Sequence, residues 1–147
     1  MSAKLGTGVL LLLLLVAAQG CIVVRFDFSP QTASEAEVVD MALVERGILV
    51  YQNNYCGVCH ALRAAETNGM LGPVHDNMGA LAEERLLQPD YTGTATTAAE
   101  YLRESLLDPA AYLVPGYAGS QHVMPAFTHL PPEDIEAMVY MLLQQRD

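Results

Sequence analysis

Basic residues are scarce in this chain of 147 residues, which carries 7 lysines and arginines against 17 aspartates and glutamates. Lys4, Arg25 and Asp27 lie near the start, so residues 35–147 hold 5 basic and 16 acidic residues. Proteins that bind nucleic acid present basic patches, and this composition argues against such a partner. An anionic lipid surface would also repel this region. The acidic charge favours solubility, and it suits a partner protein with a basic face.

Cysteine is scarce as well, and two of the 3 cysteines lie in the segment 56–60, which reads Cys-Gly-Val-Cys-His. Two cysteines separated by two residues and followed at once by histidine are typical of the attachment site of a c-type haem. The thiols of Cys56 and Cys59 would form thioethers with the two vinyl groups. His60 would then lie under the porphyrin plane, where its imidazole can bind iron. The motif occurs once, so the sequence predicts one covalent haem c.

Two other uses of a Cys-x-x-Cys motif are a redox dithiol and half of a zinc site. A dithiol is expected near a strand–helix–strand pattern, which the sequence does not show. A zinc site needs two further ligands, and His75, His122 and His129 do not form a second closely spaced pair. The histidine at position 60 and the apolar N-terminus therefore favour haem.

The N-terminus is uncharged from residue 5 to residue 24 and contains six consecutive leucines. We interpret residues 1–25 as an export signal or a membrane-anchor helix, and residues 26–34 as a linker. Cys21 follows a small residue, as in bacterial lipoprotein signals, but Ala18 and Gln19 depart from that pattern. Lipidation at Cys21, a retained transmembrane helix and complete removal all stay open. Each alternative places residues 35–147 on the outer side of a bacterial cytoplasmic membrane.

The rest of the chain predicts a small helical domain, and no segment has the pattern of a strand. A first helix is expected after a cap at Ser34, running through Val38 and Val39 to Tyr51. Three further helices are expected: a short one near residues 80–87, one from the Thr97–Glu100 capping box to before Pro109, and one from Pro131.

The order of these elements resembles the class I cytochrome c family over roughly residues 38–145. The likeness rests on a helix that ends at the haem motif, a Gly72-Pro73 loop, a late Met124-Pro125 and a final amphipathic helix. It implies an all-α class I cytochrome c fold around one haem, in which the first and last helices cross. Gly47 and Tyr140 are similar to the small and aromatic residues at that crossing.

The resemblance also implies roles for single residues. Cys56 and Cys59 match the thioether cysteines, and His60 matches the proximal iron ligand. Pro73 matches the proline whose carbonyl accepts a hydrogen bond from the proximal imidazole, although an ordinary turn is the alternative. Met124 matches the distal ligand, with His122 as the main alternative. His75 and His129 are interpreted as exposed or hydrogen-bonded loop residues.

Residues 101–109 and 112–117 are similar to membrane-anchored cytochromes that serve respiratory complexes. These include the mono-haem subunit of alternative complex III, a quinol-oxidising assembly. The likeness implies a non-catalytic electron carrier that passes electrons towards a terminal oxidase; a free membrane-tethered shuttle and a haem-based sensor are the alternatives. Tyr112 and Tyr117 are interpreted either as contacts of the haem or its propionates or as core residues.

Overall fold

The computed structural model describes residues 38–146, which form four α-helices and one small sheet. The helices are α1 (Met41–Asn53), α2 (Met78–Leu86), α3 (Ala98–Leu107) and α4 (Pro132–Leu143). The strands are β1 (His60–Leu62) and β2 (Thr67–Met70). None of the helices in this range is long and apolar enough to cross a membrane. The predicted segments 1–25 and 26–34, including Cys21, lie outside the described residues.

Helix α1 begins later than the sequence suggested. The Asp40 carboxylate accepts hydrogen bonds from the backbone N–H groups of Ala42 (3.0 Å) and Leu43 (3.2 Å). These are two of the donors that the first helical turn leaves without a partner, so Asp40 caps the helix. Val38 and Val39 precede this cap as exposed, non-helical residues, and the prediction that the helix includes them is wrong. The expected cap at Ser34 lies outside the described residues.

Helices α1 and α4 cross at Gly47, which is buried. A Cβ atom at this position would collide with the Ala137 carbonyl oxygen and would lie 2.5 Å from the Cβ of Met141. Tyr140 belongs to α4, and its side chain contacts the N-terminal end of α1, where its hydroxyl accepts a hydrogen bond from the Asp40 N–H (2.8 Å). The small residue is therefore at the crossing, as the resemblance implied, but it faces Ala137 and Met141.

The other helices begin and end close to the predicted positions. The capping box is present, because Thr97 Oγ1 accepts from the Glu100 N–H (3.2 Å) and the Glu100 carboxylate accepts from the Thr97 N–H (3.1 Å). Helix α3 ends before Pro109, and α4 begins at the second proline of its Pro-Pro pair. The buried side of α4 joins the core through Ile135, Met138, Val139, Met141 and Leu142.

The absence of strands was a wrong prediction, because β1 and β2 pair in an antiparallel hairpin. Thr67 closes this hairpin: its hydroxyl accepts from the Leu62 N–H (3.0 Å) and donates to the His60 carbonyl (2.9 Å). Glu66 makes the turn with a positive φ of 55°. Strands of three and four residues are too short to show an alternating pattern. The described part is therefore a mostly helical small domain with one hairpin.

Candidate haem site

The two motif cysteines lie in a tight turn directly after α1. Tyr55 has a positive φ of 58°, and a 3-10 helix follows over Cys56–Val58. A Cβ on Gly57 would collide with the Thr67 methyl group, so the first of the two residues between the cysteines must be glycine for the hairpin to pack here. Thr67 was not singled out in the sequence, since only the hairpin brings it next to the motif.

A cavity of about 710 Å³ opens beside this turn. Its volume falls in the range of roughly 300–1,000 Å³ that is typical of small-molecule and cofactor sites. Aliphatic and aromatic side chains from α1, α3, α4 and the long loops form much of the lining. The cavity is also lined by every residue that the sequence proposed for the haem, namely Cys56, Cys59, His60, Pro73, Met124 and the alternative His122.

The geometry of His60 determines which ring nitrogen can bind a metal. Its Nδ1 lies 2.7 Å from the Pro73 carbonyl oxygen. A carbonyl oxygen only accepts hydrogen bonds, so Nδ1 carries the proton and donates it. A neutral imidazole then has its lone pair on Nε2, and this atom has no hydrogen-bond partner within residues 38–146. An imidazole whose Nδ1 is held by a carbonyl is the usual arrangement of a metal-binding histidine.

Burial keeps this ring neutral. His60 is only 7% exposed, and burial lowers its pKa below the ordinary value, while the bond to Pro73 acts in the opposite direction. Burial also raises the pKa of the Cys56 thiol to about 11. A redox dithiol depends on a lowered thiol pKa, so this environment disfavours that use of the motif. Cys56 and Cys59 are unbridged.

Close packing restricts the backbone around the His60 ring. A Cβ on Gly72 would collide with His60 Cε1 and would lie 2.8 Å from Nδ1. Gly72 cannot easily move away, because its N–H donates to the Cys59 carbonyl at 2.9 Å. The Gly-Pro pair thus serves two purposes: the glycine leaves room for the ring, and Pro73 supplies the acceptor.

Met124 and His122 reach the cavity from the irregular segment between α3 and α4. Phe127 anchors this segment, since it is buried and its N–H donates to the Leu106 carbonyl at 2.8 Å. Met124 is half-buried and packs against the core, whereas His122 is exposed. His129 does not line the cavity. The structure thus brings both candidate distal ligands to the cavity and favours the thioether by its burial.

A polar corner of the cavity contains Tyr112, which the sequence proposed as a contact of the haem or its propionates or as a core residue, together with Arg85 and Tyr101, which were not proposed for the site. Arg85 Nη1 donates to the Tyr101 hydroxyl at 3.0 Å. No carboxylate in the described residues pairs with Arg85. The Tyr112 hydroxyl is buried and has no hydrogen-bond partner within residues 38–146. Leaving a buried polar group unpaired costs about 1–3 kcal/mol, so this corner fits an acidic group of a ligand, such as a haem propionate. Tyr117 also lines the cavity.

His75 differs from a simple exposed loop residue. It is half-buried at the cavity, its ring stacks on that of His60, and its Nδ1 is hydrogen-bonded to the Tyr51 hydroxyl (3.3 Å). The sequence predicted an exposed or a hydrogen-bonded loop residue at this position; the hydrogen bond is present, but the side chain is not exposed. Within residues 38–146, no group of three or more His, Cys, Asp or Glu side chains is arranged to hold a metal ion.

Comparison of the chain with protein-family models, curated proteins and solved structures gave no match.

Proposed function

We propose that this protein is a one-electron carrier with a class I cytochrome c fold around one covalent haem c. The observation that supports the proposal most strongly is the hydrogen bonding of the two ring nitrogens of His60. Its Nδ1 is committed to the Pro73 carbonyl and its Nε2 has no partner in the described residues, at a cavity that both motif cysteines line. When bound, the haem supplies an iron that accepts one electron from a donor and passes it to an acceptor.

Different residues of the chain would hold different parts of the haem. Cys56 and Cys59 would attach it covalently, and His60 Nε2 would bind the iron. Met124 would supply the second axial ligand, and its thioether would raise the reduction potential relative to a second histidine. The polar corner of Arg85, Tyr101 and Tyr112 would receive a propionate. Apolar side chains of the cavity would exclude water from the bound group, and His60 and Met124 together would leave no open position on the iron for a substrate. These roles support electron transfer rather than catalysis.

Covalent attachment is tested by expressing the full chain in a bacterium that matures c-type cytochromes. We expect haem staining of the protein after a denaturing gel, and loss of the stain in the Cys56→Ala/Cys59→Ala double variant. The matched control is Cys21→Ala, which removes the third cysteine and should keep the stain. A wild-type protein without covalent haem would contradict the proposal.

Axial ligation is tested by absorption spectra of the oxidised and reduced protein, with and without carbon monoxide. A low-spin spectrum with the weak far-red sulfur-to-iron band, indifferent to carbon monoxide, is expected. Met124→Ala should lose this band and bind carbon monoxide, while His122→Ala should keep the wild-type spectrum. A low-spin wild-type spectrum without this band, unchanged in Met124→Ala and altered in His122→Ala, would assign the ligand to His122, and a high-spin wild-type spectrum would favour a sensor.

The proposal extends to the setting of the carrier. The apolar N-terminus supports membrane attachment outside the cytoplasm, through an anchor helix or a lipidated Cys21. The likeness of residues 101–109 and 112–117 supports a subunit of a quinol-oxidising respiratory complex of the alternative complex III type. Purification from membranes in mild detergent through a C-terminal tag tests this. A subunit co-purifies with a quinol-oxidising activity that reduces its haem, whereas a free shuttle is isolated alone.

A further inference from the structure

The contacts of His75 support an inference about a further role in the site. This inference goes beyond the proposed function but depends on it, because it assumes that His60 binds a haem. The His75 and His60 rings are stacked, with centroids 4.0 Å apart and an interplanar angle of 17°. Two imidazoles stacked in this way cannot occupy opposite faces of one iron. His75 is therefore not an alternative to Met124 or His122 as the distal ligand.

His75 is held in place independently of His60. Its backbone N–H donates to the Ala61 carbonyl at 2.8 Å, and its Nδ1 is hydrogen-bonded to the Tyr51 hydroxyl at 3.3 Å. Tyr51 belongs to α1 and is 1% exposed, and its ring meets the His75 ring edge-on at 68°. His75 is thus bonded to the hairpin through its backbone N–H and to the core through its ring atom Nδ1.

The stack supplies a restraint that the Pro73 bond does not. A hydrogen bond at Nδ1 fixes one atom on the edge of the His60 ring, and the ring can still tilt about the line from Nδ1 to the carbonyl oxygen. A parallel ring against its face prevents this tilt. A branched aliphatic side chain at position 75 would fill space, but it would lack both the flat face and the nitrogen that Tyr51 holds.

We propose that His75 is a positioning residue for the proximal imidazole. Its ring, anchored by Tyr51, fixes the orientation of the His60 ring plane relative to the haem. The orientation of an axial imidazole plane affects the splitting of the iron d orbitals, and hence the g values of a low-spin ferric haem and its reduction potential.

The test is electron paramagnetic resonance of the haem-loaded full chain in the ferric state, together with redox titration. His75→Leu should shift and broaden the largest g value and change the potential. His75→Phe keeps a flat ring and should remain closer to wild type. The control is His129→Leu, which removes an exposed histidine outside the cavity. Unchanged g values, line widths and potential in His75→Leu would overturn the proposal.

A second variant covers the case in which His75→Leu fails to load haem. Tyr51→Phe keeps every ring and removes the hydroxyl, which anchors His75 Nδ1 at 3.3 Å and also lies 3.5 Å from the His60 carbonyl oxygen, so a smaller shift of the same g value is expected. An unchanged signal in this loaded variant would overturn the role of the anchor and of His75. Failure of the proposed function is recognised separately, because the wild type itself would then lack covalent haem or a low-spin ferric signal.

Discussion

Gly72→Ala is the substitution whose effect the structure specifies most directly. The new methyl group would occupy the space of His60 Cε1 and would lie 2.8 Å from Nδ1. The backbone cannot yield easily, because the Gly72 N–H is bonded to the Cys59 carbonyl and Pro73 follows with a fixed φ. We therefore expect the His60 ring to move and its Nδ1 to lose the Pro73 carbonyl.

Two costs contribute to the expected loss of stability. A buried donor without an acceptor costs about 1–3 kcal/mol, and an added methyl group in a packed site costs about 1–3 kcal/mol. Movement of the His60 ring would relieve the clash with the new methyl group, but it would also break the hydrogen bond to Pro73. The two costs therefore overlap, and we expect a loss of about 2–4 kcal/mol in total. At roughly 4–8 °C per kcal/mol for a domain near this size, Tm should fall by about 10 °C or more.

The measurement is thermal and denaturant unfolding of the haem-loaded protein, with the ferric spectrum recorded on the same samples. Gly119→Ala is the matched control, because no atom of the part of the chain that the structure describes lies within 4 Å of a Cβ at Gly119. It should change the free energy of unfolding by less than about 0.5 kcal/mol. If Gly72→Ala has the same Tm and denaturation midpoint as Gly119→Ala and keeps the wild-type spectrum, the inferred close packing around the His60 ring is refuted.

Substitutions at three further positions test the packing, the cap and the polar corner in the haem-loaded protein, each by denaturant unfolding. Gly47→Ala should lose about 1–2 kcal/mol, because the clash with Ala137 and Met141 outweighs the helix preference of alanine; an unchanged midpoint would contradict the close crossing. Asp40→Ala should lose about 1 kcal/mol, and Asp40→Asn should recover most of it, since asparagine also caps helices. Tyr112→Phe should lose about 1–2 kcal/mol if the hydroxyl binds a propionate, whereas a neutral or stabilising effect would show that it has no partner.

Local signals were sufficient for several parts of the fold. The capping box of Thr97 and Glu100 was predictable because all its atoms lie within four residues, and its hydrogen bonds are those expected. The start of α1 was not, because Ser34 and Asp40 are both good caps and the sequence alone does not choose between them. The hairpin was missed because it depends on Thr67, whose hydroxyl bridges the ends of two strands too short to show a pattern.

For the candidate site, the sequence by itself determined the motif on which the haem proposal depends, since covalent attachment would need Cys56, Cys59 and His60 at fixed spacing along one segment. Only the tertiary structure decided the surroundings of that motif. It placed Arg85 at the same cavity as the Tyr112 hydroxyl, which has no hydrogen-bond partner among the described residues, and it stacked His75 on the ring of His60. The physical reason is that these contacts join side chains far apart in the chain. Whether such side chains meet depends on how the helices pack, which the order of residues does not reveal.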